Sequence, residues 1–246
     1  MYTHIYIHMK IAICFYGLHP DECWKNQSIK EDKCYDYWMN NVINKNDCDI
    51  FVHSFSTKKK ELLKYKPKSY LFEDVEYFRN NIIDKQHINY NRHNNMSNLY
   101  ISYGIKKTCE LMLDYSNKNH IEYDLILISR IDICWLNPIN LNNLNINYFY
   151  SGIWGKNNYY SNKTGGFLSY WFISNKKYII EFSKIFDNIY KYIEKYNSWH
   201  IITKIHTNTF INNSNIKYIF NDICSNNVDM DLQRYLSESK PECFQK

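Results

Sequence analysis

Two charged side chains, Arg130 and Asp132, stand directly after an apolar run at residues 125–128. Such a run predicts a strand that is covered on both faces of a sheet. In open α/β sheets, ligands bind at the carboxyl ends of the strands. A guanidinium group can hold phosphate through paired hydrogen bonds, and a carboxylate can hold a divalent metal. The pair therefore predicts a site that grips a diphosphate and a metal together, which is the chemistry of nucleotide-sugar enzymes.

The spacing of Arg130 and Asp132 supports this prediction but leaves an alternative open. Side chains two positions apart on an extended chain point to the same side, so both groups would face one ligand. Alternatively, the two residues form an ordinary ion pair at the strand end, or one of them caps the following turn. The position of the triplet in the fold has to decide between these interpretations.

Hydrophobic runs and turn residues along the chain predict one α/β domain. Strands are predicted at residues 10–15, 49–55, 70–72, 123–133, 148–152, 171–173 and 217–220. Helices are predicted at 97–115, 175–196 and 201–211. Ser97 is expected to cap the first helix and Asn175 the second. The apolar stripe of the first helix consists of Ile101, Ile105, Cys109 and Met112. A helix that leads into a buried strand forms a crossover unit, so we expect a mainly parallel central sheet flanked by helices.

Composition and charge argue against several classes of protein. The chain has 246 residues, of which 45% are hydrophobic and 17% aromatic, so it is expected to fold. The net charge of +5 is small, and the basic runs are short, such as residues 58–60. Both observations argue against a nucleic-acid partner. No run approaches the roughly 18 apolar residues of a membrane span. The first nine residues lack the apolar core of a signal peptide, so we expect a soluble, unsecreted protein.

The eight cysteines contain no Cys-x-x-Cys pair, so the sequence does not support a zinc ribbon. Cys14 and Cys134 lie inside apolar runs, which is typical of buried free thiols. Free thiols persist in a reducing compartment. The sequence therefore predicts a cytoplasmic protein rather than a secreted disulfide scaffold.

Five segments resemble one protein family in their order and spacing: residues 10–17, 49–55, 65–73, 95–100 and 123–133. The family is that of small GT-A-type glycosyltransferases encoded in bacterial surface-polysaccharide clusters and by large DNA viruses. Its members carry an opening strand and loop, an Asp-hydrophobic-Phe-Val-His strand, a Lys-Pro-Lys turn, and Arg-x-Asp in place of Asp-x-Asp. The resemblance implies a single GT-A-like (Rossmann-like) domain and, for a viral chain, a location in the host cytoplasm.

The expected domain boundaries follow from this resemblance and from the absence of internal repeats. The glycosyltransferase-like domain is expected at residues 10–220, after an N-terminal extension at 1–9 and before a polar C-terminal tail at 221–246. Asp229 and Asp231 form a literal Asp-x-Asp in that tail. Because no buried strand is predicted before them, we do not expect them to be the metal motif.

The resemblance also implies roles for residues at the strand ends. Asp132 is similar to the acid that binds Mn²⁺ or Mg²⁺, and Arg130 lies where the family contacts the donor diphosphate. Tyr16 and Gly17 would line the nucleotide base. The residues expected to contact the donor are Tyr16, Gly17, His53, Ser97, Asn98, Ser102, Ser129 and Arg130. For His53, an alternative of equal weight is a histidine that is hydrogen-bonded within the sheet edge.

Beyond residue 135 the resemblance weakens, and the general base is not identified there. Family members often carry one acid just before the strand at 171–173 and another at the start of the next helix. This chain has Ser169 and Tyr170 at the first place and His200 at the second. His200 is therefore the candidate base and His206 the candidate second metal ligand, although either histidine could instead be a surface or core residue.

These predictions favour a glycosyltransferase that moves a hexosyl or deoxyhexosyl group from a UDP- or GDP-linked donor to a glycan or lipid-linked acceptor, assisted by Mn²⁺ or Mg²⁺. Trp154, Tyr159 and Tyr160 are expected to stack on the acceptor, with core packing as the alternative for these rings. Retention or inversion at the anomeric carbon stays open. The alternative function is a nucleotide-sugar or glycan-binding module of the same fold without turnover, because the expected acids are missing.

Overall fold

A computed structural model describes residues 9–22, 33–83, 95–154, 166–219 and 230–232 of the chain. The strands in these ranges are β1 (Ile11–Tyr16), β2 (Cys48–Ser54), β3 (Ser69–Phe72), β4 (Leu125–Arg130), β5 (Ile133–Trp135), β6 (Phe149–Trp154), β7 (Gly166–Ser174), β8 (Ile216–Tyr218) and β9 (Met230–Leu232). The helices are α1 (Lys33–Asn41), α2 (Lys59–Leu63), α3 (Val75–Tyr77), α4 (Asn95–Asn119), α5 (Lys176–Ser183), α6 (Ile189–Ile193) and α7 (Trp199–Thr207). A π-helical turn, Phe78–Ile82, follows α3 directly.

Seven of the described strands form one sheet in the order β3-β2-β1-β4-β7-β6-β8. The pairs β1–β2, β2–β3, β1–β4 and β6–β8 are parallel, whereas β7 runs antiparallel to both of its neighbours. Helices pack on this sheet, and α4 contacts β1, β2 and β3. The predicted α/β domain with a mainly parallel sheet flanked by helices is confirmed.

The register of the parallel strands aligns three of their carboxyl ends. Tyr16, the last residue of β1, is opposite His53 of β2 on one side and Arg130 of β4 on the other. In-register residues of parallel strands point to the same face of the sheet. That face is covered by α4, because β1 residues with the same orientation, Ala12 and Cys14, pack in the same core cluster as apolar residues of the helix. The three strand ends therefore meet under α4.

The helix α4 is longer than its sequence pattern predicts. It begins at Asn95, so the prediction that Ser97 caps it is wrong, because Ser97 lies within the first turn. Ile105, Cys109 and Met112 are fully buried as the apolar stripe predicts. Ile101 is only partly buried. The helix thus presents its apolar stripe to the sheet and leaves its first turns at the carboxyl edge.

The helix predicted from Asn175 to residue 196 is divided. Asn175 caps it as expected, since its side chain accepts a hydrogen bond of 3.0 Å from the backbone N–H of Tyr178. Between α5 and α6, the backbone N–H of Asp187 donates to the carbonyl of Lys184, a spacing of three residues. Such tighter bonds form the 3₁₀ turn Phe186–Asn188 in place of a helix turn. The predicted stretch at 201–211 corresponds to α7, which begins earlier, at Trp199.

Part of the predicted polar tail is a strand. Met230–Leu232 forms β9 and pairs antiparallel with β5, so Asp231 is opposite Cys134. The sequence did not predict an element there. The side chain of Asp231 and the whole of Asp229 lie outside the described residues. The domain boundaries at residues 10 and 220 stay a prediction.

A buried carboxylate joins the strands at the opposite, amino-terminal edge of the sheet. Asp49 accepts a hydrogen bond of 2.8 Å from the hydroxyl of Tyr123. The ammonium groups of Lys10 and Lys68 lie 3.4 and 3.6 Å from the same carboxylate. Asp124 in turn accepts a 2.8 Å bond from the backbone N–H of Lys10. Several residues of the family-like segments therefore hold strands together rather than facing a ligand.

The described part of the chain contains no helix that combines the length and hydropathy needed to cross a lipid bilayer. Its cysteines, at positions 14, 34, 48, 109 and 134, are free thiols. The prediction of free thiols is confirmed for these residues.

Replacing Tyr123 with Phe tests the hydrogen bond to Asp49. The substitution leaves the buried carboxylate without its shortest side-chain partner, so we expect the free energy of unfolding to fall by about 1–2 kcal/mol. The control is Tyr70→Phe, because Tyr70 is 51% exposed and should change stability by less than roughly 0.5 kcal/mol. Urea denaturation measures both. Equal effects of the two substitutions would contradict the role given to Asp49.

Candidate functional site

A cleft of about 520 Å³ opens between the carboxyl ends of β1, β2 and β4 and the first turns of α4. Its volume lies in the range of small-molecule sites, roughly 300–1,000 Å³. The predicted site residues that line it are Tyr16, Gly17, His53, Ser97, Arg130 and Asp132. The rest of the described lining is Leu18, Phe55, Val75, Arg79, Tyr100, Ile101 and Gly104. The cleft is thus mostly apolar and aromatic, with a few charged groups at its edge.

Arg130 and Asp132 face the cleft and also bind each other. The Nε and Nη2 atoms of Arg130 donate to the two carboxylate oxygens of Asp132, at 2.8 and 2.5 Å. The pair is largely buried, with side-chain exposures of 22% and 7%. The backbone N–H of Ile131 donates to the carbonyl of Tyr16, which fixes the turn between the two residues. The two residues form the ion pair of the alternative interpretation and also line the cleft, while their contact with a ligand stays a prediction.

The guanidinium group of Arg130 also lies near an aromatic ring. The centre of its guanidinium group lies 5.4 Å from the ring centroid of Tyr170 in β7, within reach of a cation–π interaction. Asp132 and Tyr170 together restrict the orientation of the guanidinium group. A positive charge is thereby presented at the carboxyl edge of the sheet, where ligands of α/β proteins bind.

His53 belongs to a buried hydrogen-bonded chain. Its Nε2 lies 2.7 Å from a carboxylate oxygen of Glu73, and the hydroxyl of Tyr103 donates to the other oxygen at 3.1 Å. Burial lowers the pKa of His53, and the hydrogen bond from His53 lowers the pKa of Glu73. A neutral imidazole that donates from Nε2 to an ionised carboxylate satisfies both shifts. His53 is therefore hydrogen-bonded within the sheet edge, as its alternative interpretation states, while it also lines the cleft.

Two glycines near Tyr16 have different structural roles. Gly17 has a φ of 108°, a conformation that side chains disfavour, and its carbonyl accepts a 2.5 Å bond from the hydroxyl of Ser54. A Cβ on Gly104 would lie 3.3 Å from the Cβ of Tyr16 and 3.5 Å from Nδ1 of His53. The missing side chain at Gly104 therefore lets α4 approach the strand ends.

The phenol of Tyr16 is turned away from the cleft opening. It is 1% exposed, and its hydroxyl donates a 3.4 Å hydrogen bond to the carbonyl of Ser169. Burial raises the pKa of Tyr16, so the hydroxyl stays protonated. Tyr16 thus contributes its ring to the cleft floor and its hydroxyl to the contact with β7.

Three predicted donor contacts do not line the cleft. Ser102 donates to the carbonyls of Asn98 and Leu99 within α4, and Ser129 donates to the carbonyl of Arg130. Asn98, Ser102 and Ser129 are all at most 1% exposed. Since successive helix residues rotate by about 100°, only some side chains of one turn can face the cleft. Of the predicted residues of α4, Ser97 is the one that reaches it.

His200 lies beside the cleft rather than in its lining. Its Nδ1 is 2.8 Å from the carbonyl oxygen of Phe167 and 3.0 Å from the hydroxyl of Ser169. The carbonyl of Phe167 can only accept and is closer to Nδ1 than the backbone N–H of Ser169, which lies 3.4 Å away, so the proton is assigned to Nδ1 and the lone pair to Nε2. Burial lowers the pKa of His200 to about 4, and the positive charge of Arg130 acts in the same direction. Near pH 7, His200 is a neutral imidazole.

Glycine at position 166 sets the distance between β7 and α7. A Cβ on Gly166 would lie 2.5 Å from the carbonyl oxygen of His200, which is too close for any side chain at this position. The backbone around His200 therefore packs directly on the start of β7. This contact holds the imidazole against the strand that carries Ser169 and Tyr170.

His206 has both ring nitrogens engaged in the core. Nδ1 lies 3.0 Å from the hydroxyl of Tyr192, and Nε2 lies 3.1 Å from the carbonyls of Glu181 and Phe182. The side chain is 3% exposed and is not part of the cleft lining. The structure therefore favours the interpretation of His206 as a core residue over its interpretation as a metal ligand.

The described residues do not assemble the predicted Mn²⁺ or Mg²⁺ site. They contain no group of three His, Cys, Asp or Glu side chains that could hold a metal ion. Asp132 is the one carboxylate in the described cleft lining, and Arg130 occupies both of its oxygens. A cation at Asp132 would lie beside this positively charged guanidinium group. The predicted acceptor contacts Tyr159 and Tyr160 and the side chain of Trp154 lie outside the described residues.

Arg79 is the charged cleft residue that the sequence interpretation missed. It lies in the π-helical turn after α3, and its side chain is 48% exposed. Its Nε donates to the hydroxyl of Tyr100 at 2.5 Å, and its Nη1 donates to Glu76 at 2.6 Å. The predicted strand at 70–72 ends seven residues before Arg79, too far for the strand-end pattern to indicate this side chain. The widened turn that brings it to the cleft has no simple sequence signature.

No protein-family model matches this chain, and no curated protein matches it significantly. Among solved structures, galactosyltransferase LgtC in complex with donor and acceptor sugar analogs is 12% identical, with a TM-score of 0.41 over 91% of this chain and 86% of LgtC. An active-site mutant of LgtC is 12% identical, with a TM-score of 0.45 over 96% and 94%. A transferase carrying cysteine-to-serine substitutions is 11% identical, with a TM-score of 0.38 over 92% and 93%. With TM-scores below 0.5, these similarities assign neither a family nor an activity.

The low pKa of His200 predicts a pH-dependent stability. The pKa is about 4 in the folded chain against 6.5 for an unperturbed histidine, so the unfolded state binds the proton first as the pH falls. Stability is therefore greatest above pH 6.5 and falls by about 3 kcal/mol between pH 6.5 and 4 through this group. Denaturation of His200→Gln at pH 7.5 and pH 5 should give a flatter profile than the unsubstituted chain. His120→Gln, at an exposed position, is the control and should keep the original slope; a flat profile in both variants would contradict the assignment.

Proposed function

We propose that the chain is a glycosyltransferase that moves a sugar from a UDP- or GDP-linked donor to a glycan or lipid-linked acceptor. The observation that carries the proposal is the guanidinium group of Arg130, held at the carboxyl edge of parallel strands and facing an aromatic cleft. A nucleoside diphosphate combines a flat ring with two negatively charged phosphates, and the cleft offers surfaces for both. The resemblance of residues 10–135 to GT-A-type enzymes supports the same assignment.

Arg130 has the chemistry that sugar transfer requires of the protein. As the bond between the sugar and the diphosphate breaks, negative charge grows on the leaving phosphate. A guanidinium group that is already oriented stabilises this charge without reorganising. Arg130 is oriented by Asp132 and by the ring of Tyr170, so its contribution would be available before the bond breaks.

Phe55 and Tyr100 give the cleft an apolar wall for the nucleoside. Their ring centroids are 5.5 Å apart, with the ring planes at 75°. Bases stack on aromatic side chains with about 1–3 kcal/mol per base. The wall is on the β2 side of the cleft and Arg130 is on the β4 side, two strand spacings or roughly 10 Å apart. This separation suits a nucleotide whose phosphates reach Arg130.

His200 lies beside the cleft next to Tyr170, and we assign it as the proton acceptor for an acceptor hydroxyl that binds on this side of the donor. It is neutral near pH 7, and the proton on Nδ1 leaves the lone pair on Nε2. Ser169 and Phe167 fix the orientation of its ring. The low pKa makes His200 a weak base, so we assign it a role in orienting the hydroxyl and in receiving its proton only as the sugar bond breaks.

The described residues do not assemble a site for the predicted metal, because Asp132 is the one carboxylate in the described cleft lining and is paired with Arg130. No step of the proposed reaction is therefore routed through a metal ion.

The free thiols at the described cysteines support the expected cytoplasmic location, which for a viral chain is the host cytoplasm.

A donor panel tests the proposed activity. The protein is incubated with UDP-, GDP- and dTDP-sugars with and without Mn²⁺, and released nucleoside diphosphate is measured. We expect release from one UDP- or GDP-linked donor, stimulated by a glycan acceptor. Donor binding without release or transfer for any acceptor would contradict the enzyme assignment and favour the binding module.

Replacing Arg130 with Lys tests the diphosphate contact. Lysine keeps the charge but cannot make paired hydrogen bonds, so we expect UDP affinity to fall roughly ten- to a hundred-fold. Isothermal titration calorimetry measures the affinity. Lys184→Gln is the control, since Lys184 is an exposed residue outside the cleft. Unchanged UDP affinity in Arg130→Lys would mean that Arg130 only forms an ion pair with Asp132 and does not contact the diphosphate.

A further inference from the structure

We propose that Arg79 is a second phosphate-binding group of the cleft and that it acts with Arg130 on the diphosphate of the donor. In this arrangement Asp132 is a positioning residue that orients Arg130, and not a ligand of a metal ion. The inference rests on the proposed function, because it concerns the charge distribution around the same nucleotide. It starts from the mismatch between the predicted metal site and the side chains that the cleft contains.

The π-helical turn determines where Arg79 lies. Phe78 begins this turn and is 1% exposed, with ring-centroid distances of 5.2 Å to Phe55 and 4.7 Å to Tyr103. These contacts fix the turn against the end of β2 and against α4. The next residue, Arg79, then points to the cleft. π-helical turns are rare and occur frequently at functional sites.

Arg79 is oriented before any ligand binds. Its Nε donates to the hydroxyl of Tyr100, and its guanidinium group lies 5.9 Å from the centroid of the same ring. Its Nη1 donates to Glu76, whose side chain is 66% exposed. In the described part of the chain, no hydrogen bond engages its Nη2. An anion can therefore bind Nη2 directly and compete with Glu76 for Nη1, because such exposed ion pairs contribute little.

The charges of the described cleft lining favour an anion. Its ionisable side chains that carry charge near pH 7 are the guanidinium groups of Arg79 and Arg130 and the carboxylate of Asp132. The carboxylate is already paired with Arg130 through both oxygens. Arg79 and Arg130 approach from the β2 and β4 sides of the cleft, with the floor at Tyr16 between them. Because Arg79 is bonded to Tyr100 at the aromatic wall, it would contact the phosphate nearer the nucleoside, and Arg130 would contact the phosphate nearer the sugar.

Asp132 acts on the diphosphate through Arg130. A bidentate carboxylate holds the planar guanidinium group in one orientation, which lowers the entropy that a ligand must remove on binding. Replacing Asp132 with Asn keeps the shape and removes the charge. Arg130 would then lose part of its orientation, so UDP affinity would fall with or without a metal ion. If Asp132 were instead a metal ligand, the substitution would lower UDP affinity only when the metal is present.

The test is calorimetric titration of the full chain with UDP and with uridine, each in EDTA and in Mn²⁺. We expect Arg79→Gln to weaken UDP binding by roughly tenfold or more and to leave uridine binding unchanged, since only UDP carries the phosphates. Arg79→Lys should recover part of the UDP affinity. Asp132→Asn should weaken UDP binding by the same factor in EDTA and in Mn²⁺. Lys184→Gln controls for net charge, and thermal unfolding confirms that each variant folds.

Different results would overturn different parts of the account. Equal loss of UDP and uridine binding in Arg79→Gln would place this residue on the base, and unchanged UDP binding would remove it from the site. Weaker UDP binding by Asp132→Asn in Mn²⁺ alone, with no change in EDTA, would make Asp132 a metal ligand. In each of these cases the nucleotide still binds, so the proposed function survives. Absence of UDP and GDP binding by the unsubstituted chain in both buffers would instead reject the proposed function itself.

Discussion

The parallel register of β1, β2 and β4 determines the geometry of the cleft. It brings Tyr16, His53 and Arg130 to one level of the sheet and points them to one face. Close packing of α4 at Gly104 then covers that face without filling the space above the strand ends. A shift of one residue in any of the three strands would turn its side chain to the opposite face. The hydrogen-bonded ladder therefore positions both the floor of the cleft and its main positive charge.

The pair formed by Arg130 and Asp132 has an energetic consequence for binding. Partly buried charges lose hydration, and the paired hydrogen bonds compensate for that loss. The pair contributes less to stability than its short distances suggest, but it removes conformational freedom from the guanidinium group before a ligand arrives. The same two hydrogen bonds also occupy the carboxylate. The arrangement holds a guanidinium group at the cleft, and the described cleft lining contains no second carboxylate beside Asp132.

The sequence predicted what depends on local pattern. The apolar run before Arg130 predicted β4, and the crossover order predicted a mainly parallel sheet, which the structure confirms. The reversal of β7 and the division between α5 and α6 were missed, because both depend on tertiary packing. Arg79 was missed because a π-helical turn brings it to the cleft. Ser102 was assigned from the family resemblance and His206 from its residue type. In the structure, Ser102 bonds to carbonyls of α4 and His206 to carbonyls of α5.

The central claim is that the cleft above Tyr16 binds a nucleoside diphosphate with its phosphates at Arg130. Crystals grown with UDP, or with GDP if UDP is not bound, test it most directly. We predict electron density for the diphosphate within hydrogen-bonding distance of the Arg130 guanidinium group, with the base against Phe55 and Tyr100. Density for the nucleotide elsewhere on the chain, with this cleft empty, would contradict the account.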